Sequence, residues 1–299
     1  MWIFLSLIAA VIFAVVSVID KLLLDKHLPS ISVLYLWTIF GMVFYAILVL
    51  AITGLPLDSS PSALLICLGS GLTLGLGIAS MFWSLKREEA SRAIAIVNTN
   101  PIFVALLAIP ILGEYLSAIQ WLALFLVIVG GTFISLRKST GRNIFGFSRY
   151  TPILIGSSIC WGIAHMSAKY ALQDLPLPTV FAIQQLGISV VLACVTKKQA
   201  WIELKSCMRH TDTCFLMIVG EAILPYIAIV LGLIAINNGP VSVVTSLLAT
   251  RPMFVFLLAS ILSMKRLRIM DEPLTKGTLT TKILSISIII LGVTGLTIW

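Results

Sequence analysis

Ten apolar runs leave this 299-residue chain almost no choice of solvent: 2–24, 32–53, 63–85, 91–112, 117–136, 152–172, 179–196, 213–236, 241–263 and 282–298. A bilayer core about 30 Å thick takes roughly 20 apolar residues per helix, and each run is of that order. The runs are about twice as long as a transmembrane barrel strand and lack its alternation of apolar and polar positions. They predict an all-α integral membrane protein of ten transmembrane helices. The turns between them carry ordinary breaking residues, such as Leu175-Pro176-Leu177-Pro178 and Asn237-Asn238-Gly239-Pro240. The first run has no basic stretch ahead of it and continues apolar to Leu24, so it reads as a span, not a cleaved leader.

Charge supports the same solvent. Only 11% of the residues are charged, against about 25% in a soluble domain, which is too few to cover a water-facing surface. A soluble enzyme and a nucleic-acid module are excluded, despite the net charge of +8. Eighteen of the 20 Lys and Arg residues fall in the loops that follow odd-numbered runs or at the edges of those loops, and none falls in the loops after even-numbered runs. Basic short loops stay on the cytoplasmic side. The expectation is a multi-pass protein of the plasma (inner) membrane, basic loops cytoplasmic and both termini outside. Five cysteines without metal-ligand spacing read as small apolar residues.

The chain repeats itself. At an offset of 151, residues 98–108 match 249–259 at 7 of 11 positions, including Thr99/Thr250 and Pro101/Pro252. At an offset of 148, Phe13 falls on Trp161 and Lys21 on Lys169. Five helices per half is an odd number, so the halves would insert in opposite senses. Such inverted repeats in membranes point to secondary transporters. The halves are expected at 1–138 and 150–299, with 139–149 as linker.

The run Ala93-Ile94-Ala95-Ile96-Val97-Asn98-Thr99-Asn100-Pro101, then Leu112-Gly113-Glu114, then Gly130-Gly131 in the next helix, resembles the EamA domain. Two such domains make up carriers of the drug/metabolite transporter superfamily. The resemblance implies a ten-helix fold, a central cavity between helices 1–4 and 6–9, and helices 5 and 10 as peripheral supports or dimer contacts. The acidic residue that the family places before the last helix of each repeat is present as Glu114, while the second repeat has Lys265 there.

Several residues are candidates for chemistry. Pro101 and Pro252 sit mid-way along the fourth helix of each half and Pro225 interrupts helix 8. Each removes a backbone hydrogen bond and frees carbonyls, near Val97 and Leu248 for the first two, that need a partner or a water-lined cavity. These three prolines and Lys21 are the candidate gating positions. Arg251 lies about 15 Å from either end of its helix, where a charge is costly without a partner or water. It reads as a clamp for a carboxylate or phosphate, or as one half of a fixed ion pair with Glu221. Glu221 is a proton-coupling candidate or a counter-ion. Lys169, equivalent to Lys21, either snorkels to the interface or guards a cavity mouth. His165, Asn98, Asn100, Trp161 and Tyr226 complete the candidate substrate lining.

Together these residues predict a secondary transporter that moves a small metabolite bearing a carboxylate, phosphate or amino acid group by alternating access. The excess of cations inside (Arg251, Lys169 and Lys21 against Glu221 and Asp20) favours an acidic group, and an amino acid would satisfy Arg251 and Glu221 together. The alternatives are a proton-coupled exporter of amines or drugs through Glu221, or a non-transporting intramembrane enzyme. Enzyme activity is not expected, since no catalytic motif occurs. No metal, cofactor or nucleic-acid partner is expected. The partners are a small solute, the lipid bilayer and protons as a candidate coupling ion, acting on a monomer or homodimer.

Overall fold

The computed structural model describes residues 1–54, 60–85, 96–135, 150–262 and 276–298. Among them every regular element is a helix: α1 Trp2–Leu22, α2 Ile31–Thr53, α3 Pro61–Leu85, α4 Asn100–Leu112, α5 Ala118–Ser135, α6 Thr151–Asp174 and α7 Leu177–Val195. There follow α8 Ala200–Cys207, α9 Thr211–Met217, α10 Leu224–Asn238, α11 Val241–Leu248, α12 Arg251–Leu262 and α13 Lys276–Ile298. A π-helical turn, Leu23–His27, extends α1, and another, Ile218–Ile223, joins α9 to α10.

Six described segments are long and apolar enough to cross a membrane: Trp2–His27, Ile31–Thr53, Pro61–Ser84, Leu177–Val195, Thr211–Asn238 and Val241–Leu258. Asn100–Leu112, Ala118–Phe133 and Leu284–Leu296 are shorter apolar helices. Helix α6 is long, 24 residues, yet is not among the six. Its Ser157, Ser158, His165, Ser167 and Lys169 lower its hydropathy, and Ser157 and Ser158 bond the Gly77 and Val97 carbonyls of neighbouring segments. Short α8 falls outside the expected spans: Ala200, Leu204 and Cys207 pack on α1 and α2 residues, while Trp201 and Ile202 point outward.

Helix α1 packs on α10, α11 and α12, and α6 packs on α3 and α4. Helix α2 lies along α7, α4 against α11, and α5 along α13. The α3–α7 contact is close because Gly71 meets Gly187. A Cβ on Gly187 would sit 2.9 Å from the Gly71 Cα, and one on Gly71 would strike the Gln184 carbonyl. Cys67 and Cys207 are buried and Cys194 is exposed, and all five cysteines are free thiols.

Candidate functional site

The helical chain breaks directly ahead of Asn100-Pro101 and again directly ahead of Arg251-Pro252. A turn at Asn98-Thr99 precedes α4, and a turn at Ala249-Thr250 separates α11 from α12. Both breaks are closed the same way. The Ile96 carbonyl accepts the Thr99 amide at 3.1 Å and its hydroxyl at 2.7 Å. The Leu247 carbonyl accepts the Thr250 amide at 3.1 Å and its hydroxyl at 2.7 Å. The Val97 carbonyl takes Asn100 Nδ2 at 3.0 Å and Ser158 Oγ at 3.2 Å. Side chains therefore satisfy carbonyls that a helix break frees, as a low-dielectric interior requires. Pro101 and Pro252 are both buried.

The third break, ahead of Pro225, is held by α2. Trp37 Nε1 donates to the Met217 carbonyl at 3.0 Å, and the Tyr45 hydroxyl donates to the Ala222 carbonyl at 2.8 Å. Between them lies Glu221, only 6% exposed, whose Oε2 accepts the Thr38 hydroxyl at 2.9 Å. Tyr226 is buried, its ring 4.2 Å from that of Tyr45 and its hydroxyl donating to the Thr38 carbonyl at 3.4 Å. The π-turn thus turns Glu221 toward the interior in place of lipid.

Arg251 begins α12 directly after the second break. Its Nε donates to Ser17 Oγ at 2.6 Å, and its guanidinium carbon lies 5.6 Å from the centre of the Phe13 ring. The Ser17 hydroxyl donates in turn to the Phe13 carbonyl at 2.7 Å. Asp20 and Glu221 both act on Arg251 electrostatically, and they interact with each other as like charges. Among the described residues neither carboxylate is in direct ion-pair contact with the guanidinium, so a fixed Arg251–Glu221 bridge is not how this arginine is held. Asp20 is 8% exposed, and its Oδ1 has no hydrogen-bond partner among the described residues.

On α6, Trp161 and His165 stack at 5.8 Å between ring centres. The Trp161 Nε1 and both amide atoms of the fully buried Gln185 are unpartnered among the described residues. Buried polar atoms are seldom left unpaired, so these call for a solute or water. Lys169 does not reach this level. Its Nζ donates to the carbonyls of Ile236, Asn237 and Gly239 at 2.7, 3.2 and 3.0 Å. Lys21 is exposed, Asn98 is half-buried in its turn, and Asn100 is buried and bonded to its own turn. A shallow, open depression of about 230 Å³ between α3, α4 and α6 is lined by Ile66, Ile111, Met166, Ser167 and Tyr170, none of them charged.

Three contributors were not singled out from sequence: Ser17, Thr38 and the backbone-binding Tyr45. The first had a signal. At the 148 offset that aligns Phe13 with Trp161 and Lys21 with Lys169, Ser17 falls on His165, so the same i, i+4, i+8 stripe marks one face of both helices.

The comparisons with known proteins show what the chain is similar to. Residues 1–136 match the EamA-like transporter family. An uncharacterized transporter of Archaeoglobus fulgidus is 26% identical to this chain over 162 residues. The match takes in 54% of this chain and 56% of that protein, so it spans little more than half the length of that relative. A solved crystal structure of a protein at 15% identity superposes with a TM-score of 0.66, covering 99% of this chain and 95% of the other, which is a likeness of fold. The first 136 residues are thus similar to a family of membrane transporters, and the long apolar helices are consistent with a membrane protein.

Proposed function

We propose that this EamA-like protein is a secondary transporter whose small solute binds at the broken centre of the bundle, with its acidic group on Arg251. The observation that carries the reading is the arginine itself, half-buried against Ser17 and Phe13 beside a helix break and, among the described residues, not locked into an ion pair. Its remaining guanidinium N–H groups suit a carboxylate, to which a planar fork gives paired charge-assisted hydrogen bonds. Ten spans in two inverted five-helix repeats remain our reading of the architecture. It is supported by reciprocal packing (α1 on α10 and α12, α6 on α3 and α4) and by matching breaks at Thr99 and Thr250. Alternating access would then rock one half against the other about the central site.

The charge balance at the site refines the solute. Lys169 is occupied by three carbonyls and Lys21 is exposed, so Arg251 faces Asp20 and Glu221 as the single cation among the described charges there. One cation beside two carboxylates fits a zwitterion, acid on Arg251 and ammonium on the carboxylates, better than a phosphate. A second reading, an amine carrier that exchanges its cargo for protons at Glu221, is favoured by the unpaired Oδ1 of Asp20.

A thermal-shift panel of amino acids, dicarboxylates, sugar phosphates and amines on purified protein separates these readings, because a solute that binds the folded state raises the melting temperature. Stabilisation by amino acids, lost in Arg251→Gln, is expected. Stabilisation by amines that survives the substitution selects the second reading. A wild-type melting temperature unmoved by the whole panel, with no uptake of any member into proteoliposomes, would sink both.

A further inference from the structure

We infer that Glu114 and Lys169 form a latch that closes the face of the bundle where α10 turns into α11. The turn is gripped at both ends by opposite charges. From α6, the Lys169 ammonium takes the carbonyls of Ile236, Asn237 and Gly239 at 2.7, 3.2 and 3.0 Å. From the end of α4, where Gly113 turns the chain in a left-handed conformation (φ 66°), the Glu114 carboxylate accepts the Val241 amide at 2.7 Å. It also accepts the Ser242 amide at 3.2 Å and the Ser242 hydroxyl at 2.8 Å.

Each charge meets the helix end it suits. The C-terminus of α10 presents partial negative charge to the lysine, and the N-terminus of α11 presents partial positive charge to the glutamate. Glu114 also acts on the Lys169 ammonium electrostatically, so the two residues work as one clamp across the turn. Helices α4 and α6 pack on each other, and both grip a turn that belongs to the helices leading into Arg251. Six polar contacts therefore join two packed groups at one mouth of the bundle.

The opposite mouth is built from different residues. Lys21, equivalent to Lys169, stands exposed. The counterpart of Glu114 is Lys265, which lies outside the described residues. An ammonium has donors and no acceptor, so it cannot receive backbone amides as Glu114 does. Pseudo-symmetric halves with unlike locks give the two faces unlike opening energies, and the Glu114 face opens by breaking this clamp. The inference rests on the transport reading but is tested without a solute.

Hydrogen–deuterium exchange of the full chain in lipid, wild type beside Lys169→Met and Glu114→Gln, tests it. Lys169 bonds none of the amides of 241–245, yet if the clamp acts as a unit, Lys169→Met speeds exchange there and along the α6 segment 162–168. Each is expected to rise about tenfold or more, in line with losing hydrogen bonds to a charged group. Segments 200–207 and 211–217, which pack with Leu23 and Leu28 at the end of α1 away from the clamp, keep wild-type exchange. Should Lys169→Met melt the fold, Glu114→Gln decides by the same rise at 162–168. Exchange that is unchanged, or raised only in the turn, overturns the latch in favour of two separate helix caps. A rise throughout the chain with a lower melting temperature in both variants also overturns it. Failure of every solute to bind would remove the transport reading while leaving the exchange result intact.

Discussion

Ser70 and Asn100, on α3 and α4, fall on Glu221 and Arg251 at the same offset of 151. Their surroundings correspond as well. Gln184 of α7 donates to Ser70 at 2.9 Å, and Thr38 of α2 donates to Glu221 at 2.9 Å. Ser70 spends its own hydroxyl on the Ala164 carbonyl at 2.8 Å, and Asn100 spends its amide on Val97 at 3.0 Å. The Ser70 hydroxyl and the Asn100 amide nitrogen are thus both spent on internal hydrogen bonds. Among the described residues, Arg251 keeps a guanidinium with one side-chain hydrogen bond, to Ser17, and nearby Asp20 keeps an oxygen with none. Positions at one sequence offset thus differ in use: Ser70 and Asn100 serve packing, while Glu221 and Arg251 form the candidate binding site. What differs is whether the polar groups are used up internally.

The sharpest way to break this comparison is to put the charge in the wrong half. Asn100→Arg would bury a cation where the corresponding acidic partners are absent. A mid-membrane charge costs about 2.5–3.5 kcal/mol even on lenient insertion scales. Little folded protein is expected by size-exclusion chromatography after extraction, whereas Asn100→Ala should fold. Next in size, Arg251→Gln should weaken binding of an acidic solute by about ten- to a hundredfold, the loss of a charge-assisted fork. Arg251→Lys should recover only part of it, because an ammonium cannot reproduce the planar pair of donors. Titration by thermal shift measures both, and equal affinities in all three proteins would remove Arg251 from the site.

Glu221→Gln sharpens the comparison further by separating the two ends of a zwitterion. An amino acid should bind about tenfold more weakly, while the same acid without its amine should bind as well as before or better, since a like charge has gone. Loss of both in equal measure would mean that Glu221 supports the fold around Arg251 and does not meet the solute.

Much of this was legible in the sequence because bilayer physics leaves few options. Length and hydropathy dictate helices, and the runs at 2–24, 32–53 and 179–196 became α1, α2 and α7 with ends displaced by a few residues. The breaks were legible too, since a proline in a span must disturb it. What could not be read was how each disturbance is repaired. Thr99 and Thr250 close theirs locally, but the break at Glu221 is closed by Trp37 and Tyr45, about 180 residues away in the chain. Lys169 shows the same limit. Its depth in the helix allowed snorkelling, yet the nearest polar groups were the carbonyls at the end of α10, a neighbour that periodicity does not name. Local rules located the polar residues, and tertiary contacts chose which of them were already satisfied.

The smallest effect tests the neutral half directly. Ser70→Ala removes a hydroxyl that both gives and receives: the Ala164 carbonyl loses a donor and Gln184 Nε2 loses its acceptor, all within buried surroundings. Leaving such groups unpaired costs about 1–3 kcal/mol, but α6 already bonds the Ala164 carbonyl within its helix, which places the cost at the lower end. The melting temperature of the unliganded protein should fall by a few degrees. Solute affinity should stay within about twofold of wild type, because Ser70 has no part in holding Arg251 or Glu221. A Ser70→Ala protein with unchanged stability and markedly weaker binding would reverse the assignment. The first half would then hold the solute, and the charged half would be the scaffold.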